Sequence, residues 1–143
     1  MRIGLGLPPL GMAMDLCSEI VQRAESAGFD SVWVGEAWGT ETCTMVGALL
    51  ARSQRIHIGT GIVSLYLRPP TLTAMQAATL DLIAPGRARL GLGVSTRNIN
   101  TFHGLDWDFR WPGRASTWPC CAGCWPENAS ATRVAFTDLR AFS

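Results

Sequence analysis

The stretch "RIHIGTGIVSLYLRPPTLTAMQAATLDLIAPGRARLGLGVS", residues 55–95, decides the fold class. Its first eleven residues are rich in isoleucine, valine and glycine, which is the signature of a buried strand. Pro69 and Pro70 then suit the first turn of a helix. Pro85 and Gly86 mark where that helix stops. "RARLGLGVS" is a second apolar strand. Two strands joined through a helix run parallel, with a right-handed crossover. The same alternation extends toward the N-terminus. "RIGLGLP" reads as a strand ended by Pro8 and Pro9. Asp15 is placed to cap a helix with Leu16, Ile20, Ala24 and Ala27 on its apolar face, and Gly28 to stop it. "SVWVGE" is a further strand and "ETCTMVGALLARS" a further helix. The order is βαβαβαβ, an α/β protein with a parallel sheet. Strands so uniformly apolar are expected to be buried on both faces. A doubly wound open sheet and part of a (β/α)8 barrel both satisfy this pattern.

The 143 residues suggest one domain, and the net charge of +1 argues against a nucleic-acid partner. Every basic residue is arginine. No apolar run approaches the ~20 residues that a membrane helix needs. The N-terminus shows no signal peptide, so a cytoplasmic protein is expected, with its five cysteines as thiols. Neither glycine pair fits a dinucleotide fingerprint. Gly91-Leu92-Gly93 is followed by Thr96 where the third glycine belongs, and Gly4-Leu5-Gly6 runs into prolines.

Three blocks in this order and spacing, "AESAGFDSVWVGEAWG", "RIHIGTGIVSLYLRPP" and "TAMQAATLDLIAPGRARLGLGVS", resemble the luciferase-like monooxygenases. That superfamily contains bacterial luciferase and the deazaflavin (coenzyme F420) oxidoreductases. The resemblance covers about residues 1–108. It implies a partial TIM barrel of strands one to four, with FMN or F420 at the C-terminal mouth of the strands. It also implies a small-molecule substrate and no metal. The turn Gly61-Ile62-Val63-Ser64 corresponds to a bulge, often with a non-proline cis peptide, that backs the ring system; Gly61-Ile62 is the expected position. Gly93-Val94-Ser95 would offer backbone to the same cofactor. Glu36 is the implied catalytic residue and Trp38 a stacking surface. Many deazaflavin relatives carry Asp-His where this chain has Glu36-Ala37, so the proton-handling histidine of that motif is missing here. The plain alternatives are that Gly59 and Gly61 merely allow close strand packing and that Gly93-Val94-Ser95 is an ordinary strand end. His57 reads as structural and His103 as a further residue near the pocket.

The tail, residues 109–143, breaks the pattern. "PCCAGCW" offers Cys120, Cys121 and Cys124, but without a second ligand pair these do not make a zinc site. A one-base loss near codons 108–109 explains the composition better. Shifting the frame turns Cys-Cys and Cys-Trp into leucine. It turns Trp-Pro, present at 111–112, 118–119 and 125–126, into alanine. Leucine and alanine are good helix formers. The chain is thus expected to be the N-terminal half of a barrel enzyme with a frameshifted, irregular tail. Its open edges, at "RIGLGL" and "RARLGLGVS", would promote self-association. Ile3, Leu5, Val34, Ile58, Leu90 and Leu92, or their alternate neighbours, would face the barrel interior. The alternative is a non-catalytic α/β module that binds no cofactor.

Overall fold

The computed structural model describes residues 2–8, 11–105 and the strand at 134–136. Parallel pairing joins β1 (Gly4–Leu7) to β2 (Ser31–Val34), and β2 to β3 (His57–Thr60). β3 and then β4 (Val63–Ser64) pair with β5 (Ala88–Gly93). The helices α1 (Met14–Ser26), α2 (Thr42–Ala51) and α3 (Pro70–Ile83) make the crossovers, and α4 (Arg97–Phe102) follows β5. The sheet order is β1-β2-β3-β5-β4; β3 and β4 both pair with β5 and are pieces of one strand, so the order otherwise follows the chain and no point of reversal creates the crevice of a doubly wound sheet.

The third strand expected from the sequence is two pieces. Ile58 and Gly59 pair with Ala88 and Arg89, yet Val63 and Ser64 pair with Leu92 and Gly93. Between these pairs β5 advances one residue fewer than its neighbour, so the chain at 60–62 carries one extra residue, a bulge. The Gly61–Ile62 peptide within it is cis, at the expected position. Thr60 holds the interruption together, because its hydroxyl donates to Gly91 O and accepts from Gly91 N, both at 2.9 Å.

The two faces of the sheet are filled differently: β3 and β5 are buried on both faces, as expected, whereas β1 and β2 are fully buried only toward the helices. Leu7, Val32, Val34 and Ile58 are buried against Val21, Val46, Leu49 and Leu50 of the helices. Leu90 and Leu92 pack with Val63, Leu65 and Ala77. These include side chains expected to face a barrel interior; they face the helices instead, and Ile3 is exposed. The opposite face is glycine-rich because Trp33 lies across it. A Cβ on Gly4 would come within 3.0 Å of Trp33 Nε1, and one on Gly59 within 2.9 Å of Trp33 Cζ3. The pattern of large residue then glycine in "GLGL" and "RLGLG" is therefore the period-2 alternation of a strand.

Helix α1 also departs from its sequence reading. Its N-cap is Ala13, Asp15 lies in the first turn, and the buried face is Cys17, Ser18, Val21 and Ala24, leaving Leu16 exposed. The stops were read correctly: Gly28 and Gly86 take φ of +81° and +73°. At the far edge, β6 (Val134–Phe136) pairs in parallel with β5, so that edge is covered and the tail is not wholly irregular. The remaining tail, including Cys120, Cys121, Cys124 and the expected change of frame, lies outside the described residues. Among the described residues no helix is long and apolar enough to cross a membrane.

Candidate functional site

The residues named from the sequence fall into two adjoining groups at the C-terminal ends of the strands. The first is the strand-end floor. Ile62 lies over the glycines of β5, since a Cβ on Gly93 would meet Ile62 Cγ1 at 3.3 Å. On Gly91 it would meet Thr60 O at 2.2 Å, which no side chain tolerates. Gly61 N donates to Val34 O at 2.7 Å and Leu65 N to Gly93 O at 2.9 Å, tying the bulge to both neighbours. Val63 is fully buried toward the helices, so only its backbone belongs to the floor. Ser95 is buried and takes a φ of +61°, a left-handed conformation uncommon outside glycine. Beside it, Asn100 donates to Val94 O at 2.9 Å, while its buried Oδ1 has no partner among the described residues.

The second group lines a cleft of about 530 Å³, bounded by Glu36, Trp38, Glu41, Arg68, Leu72, Gln76 and His103 among others. Glu36 joins the two groups. Ser64 N donates to its Oε2 at 3.3 Å and Thr42 N to its Oε1 at 3.4 Å. Arg68 grips both oxygens, Nη1 to Oε2 and Nη2 to Oε1, each at 2.5 Å. The Glu36 and Arg68 side chains are only 7% and 9% exposed. Four donors occupy the roughly four lone-pair sites of a carboxylate. Arg68 Nη2 also reaches Glu41 Oε1 at 2.5 Å. Glu41 in turn caps α2, accepting from Cys43 N at 3.1 Å and Thr44 N at 2.6 Å. Burial opposes ionisation of Glu41, but the hydrogen bonds from Thr44, Cys43 and Arg68 outweigh it and hold its carboxyl below the usual range. Burial likewise opposes the charge on Arg68, and its carboxylate partners outweigh that, raising its pKa.

Trp38 is half exposed and packs on Phe102, with ring centroids 5.8 Å apart. His103 stands edge-on to Phe102 and places Nε2 2.7 Å from Ala37 O. His57 binds Asp30 O through Nδ1, the structural role its sequence position suggests. The sequence reading missed Arg68, Glu41 and Gln76. The one signal for Arg68 was its place at a strand–helix turn, just before Pro69 and Pro70. Among the described residues no group of three or more His, Cys, Asp or Glu is arranged to hold a metal.

A family description of luciferase-like monooxygenases matches residues 5–133. A Mycobacterium tuberculosis protein named for coenzyme F420-dependent oxidoreduction is 43% identical over 101 residues, covering 66% of this chain and 28% of the relative. The 4-hydroxyprotoasukamycin monooxygenase of Streptomyces nodosus subsp. asukaensis is 34% identical over 95 residues, covering 62% of this chain and 25% of the relative. The structure of the coenzyme F420-dependent tetrahydromethanopterin reductase from Methanopyrus kandleri superposes with a TM-score of 0.69 at 27% identity, over 74% of this chain and 30% of that one. This chain therefore spans between a quarter and a third of the length of these relatives.

Proposed function

Because the chain belongs to the luciferase-like monooxygenase family, we propose that it forms one wall of an oxidoreductase site for coenzyme F420 or FMN. The observation that carries this reading is the bulge between β3 and β4 beside Gly91 and Gly93. It presents side-chain-free backbone at the strand ends, the surface a flat ring system needs. The unpaired Asn100 Oδ1 next to Val94 fits a group that brings its own N–H donors. Gly61, Ile62, Val63 and Ser64, with Gly93, Val94 and Ser95, would hold the ring, and Trp38 would flank it. When bound, such a cofactor supplies the hydride or electron transfer, and the protein supplies orientation and shelter from water. The F420-linked names of two relatives favour the deazaflavin.

Glu36 serves this site by position. With its lone pairs engaged by Arg68, Ser64 and Thr42, it ties the β2 loop to the bulge. The substrate is a small molecule; nucleic acid and membrane are not partners. Well over half of each relative lies outside the shared segment, so the chain alone is expected to bind the ring weakly and not to turn over substrate.

Fluorescence titration of the full chain with oxidised F420 and with FMN tests the reading. Saturable binding, tighter for F420 and weakened by Gly93→Val, is expected. No binding of either would leave the alternative, a non-catalytic α/β module that self-associates through the open β1 edge.

A further inference from the structure

The bulge interrupts the ladder between β5 and its neighbour. Gly59 pairs with Arg89 and Val63 with Leu92, so Gly91 falls between the two stretches of pairing. Gly91 is buried, and buried backbone N–H and C=O groups must find partners. One side chain supplies both. Thr60 Oγ1 accepts from Gly91 N and donates to Gly91 O, each at 2.9 Å, and Thr60 has no exposed surface. A hydroxyl suits this place because it is donor and acceptor at once. Its backbone lies equally close, since a Cβ on Gly91 would come within 2.2 Å of Thr60 O.

The consequence reaches the strand ends through Ile62. Ile62 spans both glycines of β5: a Cβ on Gly91 would meet its Cγ2 at 3.7 Å, and one on Gly93 its Cγ1 at 3.3 Å. Farther along, Leu65 N donates to Gly93 O at 2.9 Å. The Thr60 hydroxyl is the tether on the near side of Ile62 and the Leu65 amide the tether on the far side. Being fully buried, Thr60 lies beneath this surface and does not touch a ligand on it. We infer that Thr60 is the positioning residue of the cofactor floor. Its hydroxyl replaces the ladder bonds missing at Gly91 and holds Ile62 and Gly93 in the arrangement that receives the ring. The inference rests on the reading of these strand ends as a cofactor site.

The test compares three variants of the full chain, each shown by circular dichroism to be folded. Thr60→Val keeps the size and branching but removes the hydroxyl. Thr60→Ser keeps the hydroxyl. Val21→Ala opens a cavity under α1 and serves as a control for lost stability alone. Each is titrated with oxidised F420 and with FMN. Without the two hydrogen bonds the floor is ordered in only a fraction of molecules, and Thr60→Val is expected to raise the apparent Kd roughly tenfold. Thr60→Ser should recover most of the affinity, and Val21→Ala should bind as the wild type does. Hydrogen exchange of the free chains should be faster at the Gly91 amide in Thr60→Val and unchanged in α1. If Thr60→Val does not fold, Thr60→Ala, which leaves room for a water between the strands, is read in its place.

Wild-type affinity in Thr60→Val, no recovery in Thr60→Ser, an equal loss in Val21→Ala, or unchanged exchange at Gly91 overturns the inference. So does failure of both Thr60→Val and Thr60→Ala to fold, which would make the role one of stability. Cofactor binding by the wild type together with any of these results refutes only the inference. No binding by the wild type refutes the functional reading and the inference with it.

Discussion

Arg68 holds Glu36 through two parallel 2.5 Å contacts, joining the turn before α3 to the loop after β2. Both side chains are more than nine-tenths buried. Removing one partner of a buried pair leaves an uncompensated charge, which costs about 3–5 kcal/mol. Arg68→Met is expected to destabilise the chain by that order in urea unfolding. Arg68→Lys keeps the charge but loses the two-pronged geometry, and should fall between. Wild-type stability in Arg68→Met would show that the pair contributes nothing.

Acid should weaken the fold through two carboxyls. Glu25, at the end of α1, accepts from the backbone N–H groups of Gln54, Arg55 and Ile56 at the entry to β3. Slight burial opposes its charge, but those hydrogen bonds outweigh it and lower its pKa, as happens at Glu41. A carboxyl with a lower pKa folded than unfolded stabilises the protein above the unfolded value. That contribution fades as pH falls through the folded value. Stability is therefore expected to be flat above pH 4.5, the ordinary value for these groups, and to decline below it. Glu25→Gln should flatten the decline; an unchanged acid limb would remove Glu25 from the account.

Cys43, buried in α2, should resist modification in the native chain. Burial, reinforced by the negative charge of Glu41, pushes its thiol up to about 12. Only the thiolate reacts, so at pH 8 alkylation should run roughly a thousandfold slower than for an ordinary cysteine. Peptide mapping after brief iodoacetamide treatment should find Cys43 unlabelled until denaturant is added.

The glycines of the sheet are not equivalent. Gly91→Ala drives a Cβ into Thr60 O and should cost about 1–3 kcal/mol or more, as overpacking does. Gly6→Ala meets nothing within 4 Å and should be close to neutral. Equal thermal melts for the two variants would contradict the close approach of β5 to the bulge.

For residues 109–143 the decisive measurement is on the gene. Restoring one base near codon 109 should open a frame encoding further strands and helices of the family pattern. An early stop codon in that frame would favour a native tail.

The order of elements was legible in the sequence because it rests on local physics. Proline at a helix start, glycine at a helix end and short β-branched runs act through a few neighbouring residues. The bulge position was legible too, through its resemblance to a family with that turn. What the local pattern left open was the direction of each side chain. A strand such as "GLGL" reads as apolar throughout, and only Trp33, pressed over Gly4 and Gly59, shows that the glycines clear space on one face while the leucines fill the helical layer. The Glu36–Arg68–Glu41 network was equally hidden, since its members are separated by up to 32 residues in the chain. Parallel crossovers bring these loops to one end of the sheet. The resulting burial makes each charge depend on the others, a condition imposed by the tertiary structure.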